Sequence, residues 1–209
     1  CLSDWSSDVC SSDLIAANSR PEKTLKEIVA AAKQNPNAWS FATAQIGAPG
    51  HLAAVAFNQY AGTNATIISY RGTAPAANDV VGGHVPMMIE AVTALLPLIR
   101  AGSVRAIAVT SAQRTSLAPE IPTMAEVGLP ELDLGAWWGM WGPPALPAEI
   151  AGTINGWVNE AVKDLAAEGR LTALGIEPIL QSPKDFAQFL STEVERTAKL
   201  LKAANFQPE

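Results

Sequence analysis

The chain is short of the residues that most chemistry needs. Among 209 residues there are two cysteines, Cys1 and Cys10, both at the very start, and two histidines, His51 and His84. A cysteine-poor body excludes a disulfide framework and a thiolate metal site. The two histidines have no metal spacing, and no carboxylate is paired with them on a common face. No Gly-x-Ser-x-Gly nucleophile elbow and no Gly-x-x-x-x-Gly-Lys phosphate loop occurs. Charge is scarce too: 16% of residues are charged, against about 25% in ordinary chains. Fourteen Lys and Arg against 20 Asp and Glu give a net charge of −6. A basic face for nucleic acid is therefore not expected. No apolar run approaches the ~20 residues of a membrane-spanning helix. These absences disfavour triad, metal and phosphate-loop enzymes, nucleic-acid binding and membrane spanning, and the sequence calls for no metal and no cofactor.

What is present is apolar: 48% of the chain is hydrophobic, enough for a sizeable core. The first stretch stands apart. Residues Cys1 to Leu14 repeat Ser-Asp at Ser3-Asp4, Ser7-Asp8 and Ser12-Asp13 and carry neither a helical nor a strand period. They lack the basic start and apolar centre of a signal peptide. The string resembles translated adapter sequence, so 1–14 is read as a non-native leader, expected to be unpacked.

From Ile15 helix and strand patterns alternate. Thr24 and Glu27 form a capping box ahead of Leu25, Ile28, Val29 and Ala32 on one helical face. Asn35-Pro36 ends that helix. A strand over Trp39 to Ala44 leads through a small-residue loop into a helix from about His51 to Tyr60, with Gly62 as its cap. Strands follow at Ala65 to Tyr70, Pro86 to Glu90 and Val104 to Thr110. Helices are expected over Ala74 to Val81, Thr93 to Arg100 and, briefly, after the Thr123/Glu126 box. Beyond an aromatic strand from Leu134 to Gly142 lies a helix after Pro147 with Ile150, Ile154, Trp157, Val158 and Val162 on its face. A strand at Ile176 to Leu180 and a helix after Pro183 close the pattern. Such alternation predicts an α/β fold with largely parallel sheets, whose ligands bind at the carboxyl ends of strands.

Three strand ends carry candidate binding residues. Gln45, Ile46, Gly47, Ala48, Pro49, Gly50 and His51 form a loop that opens a helix. Small residues leave N–H groups accessible, and the helix start adds positive partial charge, so the turn suits a carboxylate or phosphate. Tyr70, Arg71, Gly72, Thr73 and Ala74 follow the next strand, with Arg71 fit to grip a carboxylate. Glu90 ends another strand and is fit to meet an ammonium or a hydroxyl. An ordinary strand-to-helix turn, a solvated arginine and a surface acid are the plain alternatives for each of these. Trp137, Trp138 and Trp141 read as core or a seam between domains, with a cleft wall as the alternative.

Together these turns resemble one family. Thr24-Leu-Lys-Glu-Ile, Ser40-Phe-Ala-Thr-Ala, Gly47-Ala-Pro-Gly-His-Leu, Tyr70-Arg-Gly-Thr-Ala-Pro-Ala, Gly82-Gly-His-Val-Pro-Met-Met, Ile99 to Ser111 and Ile121-Pro-Thr-Met-Ala-Glu-Val-Gly-Leu-Pro are similar to the solute-binding proteins of tripartite tricarboxylate transporters, the Bug family. The resemblance implies a two-lobed, periplasmic-binding-protein-like (type II, flytrap) α/β fold without catalysis. It would close on a small carboxylate in the periplasm and deliver it to integral membrane subunits. The Gly47–His51 loop would be the second lobe's ligand loop, with Tyr70 to Ala74 beside it and Trp138 where the chain returns to the first lobe. Departures are Ala48 and Gly50 in place of frequent serines, Pro86 for aspartate and Arg71 for lysine, the last favouring bidentate contact. The family's Pro-x-x-Pro-Gly-Gly-x-x-Asp clamp is absent. The first lobe is therefore expected to be incomplete, with 15–38 and 136–209 as its remainder and 39–135 as the second lobe. The rival reading is the effector-sensing domain of a LysR-type transcription regulator.

Overall fold

The computed structural model describes residues 4–10, 12–173 and 176–203. In chain order, strands β1 (Asp4–Cys10) and β2 (Ser12–Ala17) precede helix α1 (Leu25–Gln34), a 3-10 turn at Pro36–Ala38, β3 (Ser40–Thr43), α2 (Pro49–Ala61), β4 (Thr66–Ser69), α3 (Thr73–Val81), β5 (Met87–Ala91), α4 (Val92–Arg100) and β6 (Val104–Val109). Then come β7 (Ala136–Trp141), α5 (Ala148–Ala167), the short α6 (Arg170–Ala173), β8 (Ile176–Ile179) and α7 (Pro183–Ala203). The chain divides into two units, Cys1–Cys10 with Ala136–Lys199, and Ser11–Gly135 with Leu200–Glu209.

The larger unit is built on a five-stranded sheet in the order β4-β3-β5-β2-β6. β3 runs parallel to β4 and β5, whereas β2 is antiparallel to both its neighbours, β5 and β6. The sheet is therefore mixed, which corrects the largely parallel expectation. Its inner strands β2, β3 and β5 are buried on both faces, so successive residues enter different cores. Leu14, Ala16, Phe41, Met87 and Ile89 pack on one side with Ile28, Trp39, Phe57, Met124 and Leu200. Ile15, Ala17, Ala42 and Met88 pack on the other with Ala76, Val80, Leu95 and Val104. Each large apolar side chain buried this way contributes roughly 1.5–3 kcal/mol.

Local signals start and stop the helices. Glu27 N–H donates to Thr24 Oγ1 at 3.3 Å and Thr24 N–H to Glu27 Oε2 at 3.2 Å, so the capping box of α1 is formed in both directions. Gly62 closes α2 at φ 63°, a left-handed conformation that costs glycine little. The Thr123/Glu126 box also forms, at 2.8 and 3.2 Å, but it caps a turn and not the expected helix. Gly128 at φ 99° and Pro130 leave no room for a second turn.

Two boundaries differ from the sequence expectation. Residues 15–38 belong with 39–135 and not with 136–209, because β2 is wedged between β5 and β6 while α1 packs on Trp39 and Phe57. The 1–14 stretch is not unpacked over its described part. Asp4–Cys10 is strand β1, and Ser12, Asp13 and Leu14, these three buried, begin β2. A strand's ladder is made by backbone groups, so a stretch without side-chain period still pairs where both neighbours offer open edges. Cys1, Leu2, Ser3 and Ser11 lie outside the described residues.

In the smaller unit β1 is the centre of an antiparallel sheet in the order β7-β1-β8. Phe186 of α7 is fully buried and meets Trp137 edge-on at 5.9 Å, with Trp141 at 6.0 Å and Phe189 stacked at 6.0 Å. Gly139 permits this: a Cβ there would stand 2.6 Å from the Phe186 ring. On α5 the packed positions are Ala151, Asn155 and Val162. Ile150 and Trp157, assigned to the packed face from periodicity, are 47% and 65% exposed. Val162 is packed as expected, and Asn155 and Asn159 both donate to Gln181 O, at 3.1 and 3.2 Å.

Candidate ligand-binding site

The parallel strands β3, β4 and β5 end on one edge of the sheet, and α2, α3 and α4 begin there. No side chain caps any of these three helices. Their starts carry unsatisfied N–H groups and positive partial charge.

Two backbone bonds bring the first two turns together. Tyr70 N–H donates to Thr43 O at 2.9 Å, and Gly72 N–H to Ala44 O at 3.0 Å. Gly47 and Gly72 take φ 81° and 116°, values that favour glycine, so both turns keep backbone N–H groups free of a Cβ. Gln45 and Ile46 are exposed, Ala48 is the cap residue and Pro49 opens α2. Gly50 is buried against β5: a Cβ there would lie 2.3 Å from Ile89 O. Glycine replaces a bulkier residue at this point because helix and strand backbones touch.

Arg71 and Ala74 are exposed at the start of α3. Thr73 Oγ1 donates to Glu90 Oε2 at 3.3 Å, and Ala91 N–H donates to Glu90 Oε1 at 3.0 Å. The loop after β3, the turn after β4 and the end of β5 thus converge.

Two of the expected contacts are directed elsewhere. The Tyr70 hydroxyl donates to Asp79 Oδ2 at 2.6 Å; burial, that bond and the Asp79 charge push the phenol up to about 12. His51 is 8% exposed, with Nδ1 unpartnered, and burial lowers its pKa. It lines a cavity of about 450 Å³ with Val55, Asn58, Gln59, Thr63, Asn64, Ala65 and Ile67, none of them from the converging turns. Trp138 falls in β7 of the smaller unit; its side chain lies outside the described residues.

Sequence reasoning missed Asp13 and Asp79. Asp13 stands opposite Glu90 in the β2–β5 ladder and is wholly buried, and among the described residues neither carboxylate oxygen has a partner. Burial, and then the charge of Glu120, raise it to about 7. A stretch without side-chain period gave no signal of it. Asp79, nine residues after Tyr70 on α3, offered none. Among the described residues no group of three His, Cys, Asp or Glu is placed to hold a metal ion.

A mixed α/β sheet with binding turns at its strand ends is the architecture of periplasmic binding proteins, and solved structures of that class match along nearly the whole chain. R. palustris Rpa4515, solved with adipate, is 28% identical with a TM-score of 0.81, over 98% of this chain and 69% of that one. The periplasmic binding protein BugD is 31% identical with a TM-score of 0.75, over 99% and 69%. MatC from Rhodopseudomonas palustris, solved with bound malate, is 25% identical with a TM-score of 0.75, over 96% and 69%. Protein BugT of Bordetella pertussis is 32% identical over 86% of this chain and 55% of its own. The chain spans about half the length of the curated relatives it matches. The tripartite tricarboxylate transporter family receptor matches residues 8–206. The chain belongs to that receptor family and is of its Bug type, a family of binding proteins and not of enzymes.

Proposed function

We propose that this chain serves an extracytoplasmic solute-binding protein that captures a small carboxylate in the periplasm and delivers it to the integral membrane subunits of a tripartite tricarboxylate transporter. The observation that carries the reading is the convergence of two helix starts, at Ala48–Gly50 and Gly72–Thr73, with no side-chain cap on either. Such paired N-termini favour an anion. Arg71 adds a fixed positive charge and a planar fork suited to a carboxylate. The adipate and malate of the solved relatives belong to the same ligand class. The proposed contacts within the larger unit are Gln45 to His51, Tyr70 to Ala74 and Glu90. The Tyr70 hydroxyl is engaged by Asp79 and His51 lines a separate cavity, so the reading leans on the backbone donors and Arg71 rather than on these two side chains. No cofactor or metal is needed, because capture and release break no covalent bond.

The test is calorimetry against a panel of small mono-, di- and tricarboxylates with amide analogues as controls. Binding should be confined to the carboxylates. Arg71→Ala should weaken it by about 1.5–3 kcal/mol, the value of a charge-assisted hydrogen bond. Binding of the amides as tightly as the acids would refute an anion seat. Unchanged affinity in Arg71→Ala would leave the backbone donors as the seat.

A further inference from the structure

An acid at this edge needs a reason. Glu90 is half-buried where the first turns of α2 and α3 converge on β5. Thr73 holds its Oε2, Ala91 N–H holds its Oε1, and a Cβ on Gly50 would stand 3.8 Å from Oε2. An ionised carboxylate only accepts, and it offers about four acceptor positions. Two are occupied by described residues. A ligand carboxylate placed beside it would be repelled. A methylene there would leave the remaining positions desolvated and unpaired. Only a donor satisfies them.

We propose that Glu90 is a specificity residue: it selects ligands that carry a hydroxyl or ammonium beside their carboxylate over ligands with a methylene in that place. The proposal rests on the carboxylate-receptor reading above and divides the labour within it. The helix starts and Arg71 hold the carboxylate, Glu90 accepts from the neighbouring donor, and Thr73 fixes the Glu90 carboxylate in position. Sites built to pair a ligand's polar group reject the analogue lacking it far more strongly than apolar pockets reject an extra methylene.

Malate, aspartate and succinate share a four-carbon dicarboxylate frame and differ in the donor. Calorimetry on the chain and on its Glu90→Gln variant compares them, with circular dichroism to confirm that the variant is folded. Malate or aspartate should bind the unaltered chain at least about tenfold tighter than succinate. In Glu90→Gln the preference should fall below about threefold, with succinate gaining, because a neutral amide costs less than a carboxylate to leave unpaired beside a methylene. A merely structural role would move all three affinities together and leave their ratio alone. Equal binding of succinate by the unaltered chain overturns the proposal whether or not the variant folds, and so does an unchanged ratio in a folded variant. Both outcomes leave the carboxylate reading intact. Failure of the whole carboxylate panel to bind overturns that reading and this proposal together.

Discussion

Tyr70 and Asp79 are joined by a 2.6 Å hydrogen bond that ties the end of β4 to the middle of α3. The bond fixes the turn carrying Arg71 from behind, using a side chain that faces away from the converging helix starts. Tyr70→Phe should cost about 1 kcal/mol of stability, the net value of such a bond. The phenol is raised to about 12, by burial first and by Asp79 second. Its neutral form is thus the one favoured by folding, so its contribution is whole below about pH 10 and is lost as pH rises toward 12. Ultraviolet titration should show one tyrosine ionising late, and Asp79→Asn should bring it back toward the ordinary range.

Gly50→Ala should be strongly destabilising. The new Cβ would meet Ile89 O at 2.3 Å, and backbone on both sides cannot yield without moving α2 off β5. A cost of about 1–3 kcal/mol, typical of overpacking, should appear as a lowered urea midpoint. A neutral outcome would mean that α2 is free to slide along the sheet.

Asp13 is the weak point of the larger unit. Its carboxyl, raised from 3.8 to about 7 by burial and by Glu120, is disfavoured when charged. No penalty exists below about pH 4; it grows as pH rises to about 7 and is constant above. At about 1.4 kcal/mol per unit, the full penalty is on the order of 4 kcal/mol. Denaturant melts should therefore show stability falling from pH 4 to 7. Asp13→Asn should flatten that slope, and Asp13→Leu should flatten it and raise stability above the unaltered chain at pH 7.

Glu126 behaves in the opposite sense. Arg114 and the Thr123 N–H hold it down to about 2, with Arg114 Nε and Nη2 at 2.9 and 3.0 Å from its two oxygens. Its contribution is present above about pH 4.5 and is lost as pH falls toward 2. Amide exchange at Thr123 and Glu126 should accelerate in that window, and Glu126→Gln should accelerate it at neutral pH. Both groups are exposed, so global stability should barely change.

Much of the larger unit was legible because its signals are local. The Thr24/Glu27 box, Gly62 and the Gly47–Pro49 turn each act within a few residues and set α1 and α2 close to where the sequence places them. The converging turns were legible for the same reason, since strand ends and glycines mark them directly. The role of β2 was not, because its partners β5 and β6 lie far along the chain and its register is set by their edges. On α5 periodicity marks Ile150 and Trp157 as an apolar face, and that face stays bare, 47% and 65% exposed, while Asn155 and Asn159 bond Gln181. The Tyr70–Asp79 bond and the burial of His51 depend on which way a side chain turns, about which neither spacing nor composition speaks.

The wedge position of β2 has a consequence for how the larger unit assembles. Ile15 stands opposite Met88 on one side and Ala106 on the other, so β2 precedes both of its partners in the chain and is seated only once they are made. On the ribosome the β3–α2–β4–α3–β5 segment emerges as a half-sheet whose open edge waits for a strand already made, and β6 has no neighbour until that strand arrives. Contacts of such long sequence separation slow folding. A chain without residues 12–17 would keep a vacant slot between β5 and β6, and a short peptide of that sequence supplied in trans is the natural piece to fill it.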